Sequence, residues 1–353
     1  MGNKKIYVDI VNMEVICREM NQVLVHYLGG FITEWTVSGD TSARTITLPL
    51  YDDGTFNCGV NWGDGSTSTI TSYADSNRIH TYDSDGVYNV EISGECPGWS
   101  FNFTGDKLKI TNIISWGSET DFGGFSYLIG GFYGCANLKT LGTGKIISNS
   151  THELTNLSLT FFGCESITSI TSGLFDNLID VEYISNTFRS CISLQSIPSG
   201  LFDKCTKVID MAWLFYDCQV LTTVPSGLFD KNILNRDFIN AFNNCMSLET
   251  VPNGLFRLNT VCTDFNSTFN TTPNLQLNPW IFYNDGEQSS RFSGQTIDFT
   301  WVFLRRSFTG NQGTAPDLWN CTYGGVTSTE AFFGSGNSLT SIDNYGDIPI
   351  GWK

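Results

Sequence analysis

One short phrase returns along this chain at a fixed interval. Phe161/Cys164, Phe188/Cys191, Phe215/Cys218 and Phe242/Cys245 repeat the pattern Phe-x-x-Cys, and Phe269/Thr272 continues it, each phenylalanine 27 residues after the last. A second phrase follows each time: "SITSGLF" from Ser169, "SIPSGLF" from Ser196, "TVPSGLF" from Thr223 and "TVPNGLF" from Thr250. A period of this length means stacked units, each unable to bury its apolar face alone. The pattern frays at both ends, with "FYGCANLKTLGTG" from Phe132 upstream. Downstream come "NPWIF" from Asn278, "FTGNQGTAPDLW" from Phe308 and "FFGSGNSLTSI" from Phe332, which makes about eight turns. Around residues 276–300 an insertion, "YNDGEQSSRFSG", interrupts the spacing.

Within one turn, proline removes a backbone donor and ends a short strand, glycine supplies the bend, and Leu-Phe fills the core. Stacked backbones lie about 4.8 Å apart. Cys135, Cys164, Cys191, Cys218 and Cys245 are therefore expected to form an inward ladder. A disulfide needs Cβ atoms roughly 3.5–4.5 Å apart with a specific torsion, so successive rungs are expected to stay as free thiols and to serve as small buried hydrophobes.

The phrases "FRSCISLQSIPSGLF", "FYDCQVLTTVPSGLF" and "VIDMAWLF" resemble the BspA-type leucine-rich repeats of bacterial surface proteins and of virion proteins of Bacteroidetes-infecting, crAss-like phages. That likeness implies a leucine-rich-repeat solenoid over residues 105–353, used for adhesion or display. Ahead of it, Trp62-Gly63-Asp64-Gly65, His80, Tyr82 and the run Gly86 to Val90 are similar to the PKD-type immunoglobulin-like sandwich, over residues 41–104. In that family the tryptophan packs between sheets and the aspartate caps the following turn. Residues 1–40 follow neither pattern; a strand and then a helix are expected there, with an apolar strip (Ile6, Val8, Ile10, Val11) that needs a partner. The fold expected is thus mainly β: a docking segment, an immunoglobulin-like sandwich, then a leucine-rich-repeat-like solenoid.

The charge balance of −16 repels phosphate backbones and anionic lipid heads, so neither nucleic acid nor membrane is an expected partner. Polar residues break every 18-residue window, so no membrane-spanning helix is expected. No apolar run near the N-terminus has the length of a secretory signal.

Chemistry is thinly signalled. Gly142-Thr143-Gly144-Lys145 lacks the spacing of a phosphate loop. His26, His80 and His152 are scattered, and no cysteines pair at zinc spacing. The acidic turns "YDDG", "DSDG" and "NDGE" are explained by Asp-Gly turn geometry rather than by calcium. No catalytic residue, cofactor or metal is expected. The aromatics Trp280, Phe282, Tyr283, Phe292 and Trp301, crowded at the insertion, are the candidate ligand platform, with a capping hydrophobic cluster as the competing reading. These features point to a phage virion structural protein, a head or tail fibre or decoration, assembled in the host cytoplasm. It would attach to a capsid or tail protein through residues 1–40, form a homo-oligomer and meet a host-surface glycan or protein. The alternatives are a bacterial cell-surface adhesin and, from another class, a glycan-active enzyme.

Overall fold

The computed structural model describes residues 29–284, 286–304, 312–332 and 342–353. Most of the expected docking segment, with its strand and helix, and Cys17 lie outside the described residues. The strands are β1 (Phe31–Val37), β2 (Thr45–Thr47), β3 (Asn57–Asn61), β4 (Thr67–Ile70), β5 (Ile79–Thr81), β6 (Gly86–Glu95), β7 (Ile110–Trp116), β8 (Thr140–Thr143), β9 (Thr296–Asp298) and β10 (Gly325–Thr327), with one short helix, α1 (Gln288–Arg291).

The expected architecture is not the one found. In place of a two-sheet sandwich over 41–104 there is one open, mixed six-stranded sheet in the order β4-β3-β6-β1-β7-β8, drawing strands from either side of that range. β1 lies at its centre, antiparallel to β6 and β7, and β8 runs parallel to β7. The second layer amounts to the three-residue pair β2/β5. Nor is a leucine-rich-repeat solenoid found. Among the described residues between β8 and α1 there is no strand or helix, only turns joined by isolated parallel bridges such as Ser169↔Ser196 and Thr223↔Thr250. A leucine-rich repeat needs an extended strand in every unit. Here left-handed residues fall two before and two after each ladder phenylalanine (Asn186 and Ser190, Trp213 and Asp217, Asn240 and Asn244, φ 55–62°), and a third at Gly200 or Gly227. Each one turns the chain before a strand can extend.

What holds the coils together is aromatic packing in register. Phe132, Phe161, Phe188, Phe215, Phe242, Phe269, Phe303 and Phe332 stack nearly parallel, with ring centroids 5.3–5.6 Å apart. A second column, Phe175, Phe202, Phe229, Phe256 and Phe282, runs beside it at 5.5–6.4 Å. Backbone bonds join each coil to the next at the same place: Phe188 N–H donates to Leu214 O, Phe215 to Ala241 O and Phe242 to Thr268 O, at 2.8–3.0 Å. After the insertion Phe303 of "DFTWVF" continues the column; Phe308, from which a further copy of the repeat is expected, lies outside the described residues. At the other end Trp116 of β7 meets Phe132 and Phe161 edge to face, so sheet and coils share one core.

A further column carries charge. The Oδ1 atoms of Asp210, Asp237, Asp264 and Asp298 each accept the backbone N–H two residues on, at 2.7–3.0 Å. Parallel bridges set Asp237 beside Asp264 and Asp264 beside Asp298. Burial, joined by the neighbouring Asp264 and Asp210 charges, raises Asp237 to about 6 despite the Ile239 N–H that favours its anion. The unfolded carboxyl titrates near 3.9. The folded chain therefore binds this proton more tightly, and the associated stability is present below about pH 4 and lost as pH rises through about 6. Asn156 shows that an amide serves the same cap, its Oδ1 accepting Ser158 N–H at 2.8 Å. Asp237→Asn should raise the melting temperature at about pH 7.5, with the gain gone by about pH 4. Melts of both chains across that range check it; an equal gain at every pH would show that charge is not the cause.

Candidate functional site

The cysteine ladder lies in the interior and is built of hydrogen bonds. Cys164, Cys191, Cys218 and Cys245 each donate their thiol to the carbonyl of the ladder phenylalanine one coil back (Phe132, Phe161, Phe188 and Phe215) at 3.2–3.3 Å. Cys135 starts the column, equally buried. All ten cysteines among the described residues are free thiols. Burial pushes the ladder thiols well above their ordinary range, Cys205 to about 12 and the half-buried Cys321 to about 11. A thiol held neutral in this way is a poor nucleophile.

The aromatics of the insertion do not form a surface. Phe282, Tyr283 and Phe292 are fully buried and Trp280 is half-buried. Phe282 ends the second phenylalanine column, and Phe292 stacks on Tyr323 at 5.5 Å. Trp301 alone of the five is exposed, and its indole N–H donates to Glu330 Oε2 at 2.9 Å. The insertion adds enough chain to cover these rings, so they cap the core and are not a platform.

An outward row exists elsewhere, at the residue that follows each ladder phenylalanine. There the ladder phenylalanine is buried and its successor reaches the surface. Tyr133, Phe162, Arg189 and Tyr216 occupy this position on consecutive coils and are all half-buried. The Tyr133 and Phe162 rings stack at 4.5 Å, and Phe103 extends the row beyond Tyr133 at 4.9 Å. The Arg189 guanidinium lies 4.9 Å from Phe162, 4.6 Å from Trp213 and 4.8 Å from Tyr216, and Lys107 caps the other end 3.2 Å above Phe103. Most ring faces are spent on each other, so the row offers ring edges and two cations, an unusual surface on so acidic a chain. Trp213 holds φ at 59°, a conformation that costs a bulky residue about 1–3 kcal/mol. Asn186 and Asn240 fill the same place with a residue that tolerates it. The row is readable in the sequence as the second column of the repeat, Tyr-Phe-Arg-Tyr-Asn-Asn, although the density of aromatics is higher at the insertion.

His80, in β5's pairing with β2, stacks on Trp62 at 4.7 Å, and its Nε2 lies 2.7 Å from Asp64 Oδ2. Burial opposes the Asp64 anion, but hydrogen bonds from Ser66 and His80 outweigh it and hold the carboxyl at about 2. Tyr82 OH closes this cluster by donating to Trp62 O at 2.9 Å. The contacts are those of a packed turn. His152 is remote from it and close to Thr151, and His26 lies outside the described residues. Among the described residues no group of three or more His, Cys, Asp or Glu is arranged to hold a metal ion, and no helix is long and apolar enough to cross a membrane. No protein-family model matches the chain, and no curated protein matches it in sequence.

Proposed function

We propose that this chain is a bacteriophage virion structural protein, a fibre or decoration, that binds a host-surface glycan or protein through the aromatic and cationic row and performs no catalysis. The carrying observation is the unbroken phenylalanine column, which fixes Tyr133, Phe162, Arg189 and Tyr216 on successive coils of a stiff support. Binding residues on a rigid scaffold lose little entropy when they engage a surface. The ten free thiols among the described residues, nine of them buried, suit folding in a reducing cytoplasm, where virions assemble. Attachment to a capsid or tail protein is assigned to the N-terminal segment, with self-association accompanying it.

Mass spectrometry of purified particles tests the location. Recovery in the host envelope fraction and not in particles would move the protein to the bacterial surface. Trp213→Asn tests the row. Asparagine already fills the equivalent place at 186 and 240, so the melting temperature should hold or rise. Binding to host cells should weaken roughly thirtyfold, the effect of losing an aromatic anchor worth about 2 kcal/mol. Unchanged binding would exclude the row as the contact surface.

A further inference from the structure

The insertion builds a second feature, independent of the row. At one corner of each coil a buried side chain crosses to the coil before: Asn232 Nδ2 donates to Phe202 O and Cys205 O, and Asn259 Nδ2 to Phe229 O and Asn232 O, at 2.8–3.1 Å. On the following coil the place is taken by Arg291 of α1, whose Nη2 donates to Phe256 O and Asn259 O and whose Nε donates to Phe282 O, all at 3.1 Å. That anchor pins the inserted loop to the stack. It also brings a buried cation to which, among the described residues, no carboxylate is bound, and its Nη1 has no hydrogen-bond partner.

Beside this anchor a cleft of about 430 Å³ opens between Arg257 and Leu258 on one wall and Glu287, Ser290, Ser293 and Gln295 on the other. That volume lies in the range of about 300–1,000 Å³ usual for small-molecule sites. Arg257 reaches Glu287 only at 3.9 Å, with both side chains about 40 % exposed, so its fork is largely uncommitted. Glu287 is already engaged, accepting Asn284 N–H at 2.9 Å. Two guanidinium groups against one occupied carboxylate leave the cleft net positive on a chain of charge −16. On the same wall Gln295 donates through Nε2 to Thr260 O at 2.6 Å, while its Oε1 has no hydrogen-bond donor.

We propose that this cleft binds a carboxylate-bearing sugar residue, a hexuronate. The carboxylate pairs with the planar fork of Arg257, a geometry that guanidinium matches through two parallel hydrogen bonds. A ring hydroxyl supplies the donor that Gln295 Oε1 lacks, and Ser290 and Ser293 offer further hydroxyl partners. Leu258 provides the apolar wall against which a pyranose ring packs. An acidic peptide could satisfy Arg257 but carries no ring of hydroxyls for the serines and Gln295. The inference deepens the adhesion reading by naming a ligand class, although its site is separate from the aromatic row.

Titration of the full chain with methyl β-D-glucuronide, followed by NMR or calorimetry, tests it. Saturable binding is expected, at least tenfold tighter than to methyl β-D-glucoside and weakened at least tenfold by Arg257→Gln. Arg257→Lys retains charge without the fork and should fall between, which separates ligand pairing from any loss of folding. Equal binding of the neutral glucoside, tighter binding of N-acetylglutamate amide, or no saturation by the glucuronide each overturns the assignment. Should the glucuronide fail while the chain still adheres to host cells, the cleft is wrong and the adhesion reading stands. Arg257-dependent glucuronide binding without cell adhesion has the reverse meaning.

Discussion

Phe215→Ala should destabilise the coils by about 3–5 kcal/mol, the usual cost of truncating a fully buried phenylalanine. Its ring lies between Phe188 and Phe242, each 5.6 Å away and within 14° of parallel, and touches Phe202 of the second column. Alanine would leave both neighbouring rings facing a void, and these lost contacts belong to two inter-coil interfaces at once. In an array where each coil touches only its neighbours, weakening two adjacent interfaces uncouples the halves. The urea transition of the variant should therefore split, with the coils beyond residue 242 melting separately from those joined to the sheet. Phe215→Leu, which keeps most of the volume, should cost far less and preserve one transition. A loss of under about 1 kcal/mol for the alanine variant would mean that the column is not what holds the stack.

Removal of residues 1–40 should abolish the native sheet, whereas removal of residues 1–28 should leave it intact. The difference is β1, hydrogen-bonded on both sides, with Phe31, Trp35 and Val37 buried in the core. Phe31 alone contacts Trp99, Trp116, Phe122 and Phe125 at 5.2–5.7 Å. Without β1 the facing edges of β6 and β7 are exposed as two unpaired templates, which favours aggregation. Near-UV circular dichroism and size-exclusion chromatography distinguish the two truncations. A folded, monodisperse chain lacking residues 1–40 would contradict the central place of β1. The shorter truncation is consequently the informative one for attachment: loss of incorporation into particles by that chain alone would assign the docking role to residues 1–28.

The two truncations show where sequence reading reached its limit. The alternation in Phe31–Val37 marks a half-buried strand, but it says nothing about which strands flank it, because its partners in β6 and β7 lie 49 to 85 residues away. A tryptophan-containing turn at 62–65 and a tyrosine at 82 were legible as a packed unit, and they do meet. Their likeness to a sandwich nevertheless led to the wrong sheet arrangement, since local turn chemistry does not dictate how many strands share a sheet.

By itself the sequence determined the spacing of the coils and which side chains turn inward. Phe161, Phe188, Phe215 and Phe242, with their cysteines, recur at 27 residues because each coil presents the same environment to its neighbour, and repetition makes that environment visible without coordinates. Only the tertiary structure decided what happens where repetition stops. No repeat phrase in the sequence marks Phe303, yet its ring stacks on Phe269 at 5.6 Å once the α1 loop has been accommodated. The same loop decided the fate of the aromatics around it, burying Phe282 and Phe292 and leaving Trp301 outside. Burial there depends on where an inserted segment folds back, a property of long-range packing that no local pattern of residues encodes.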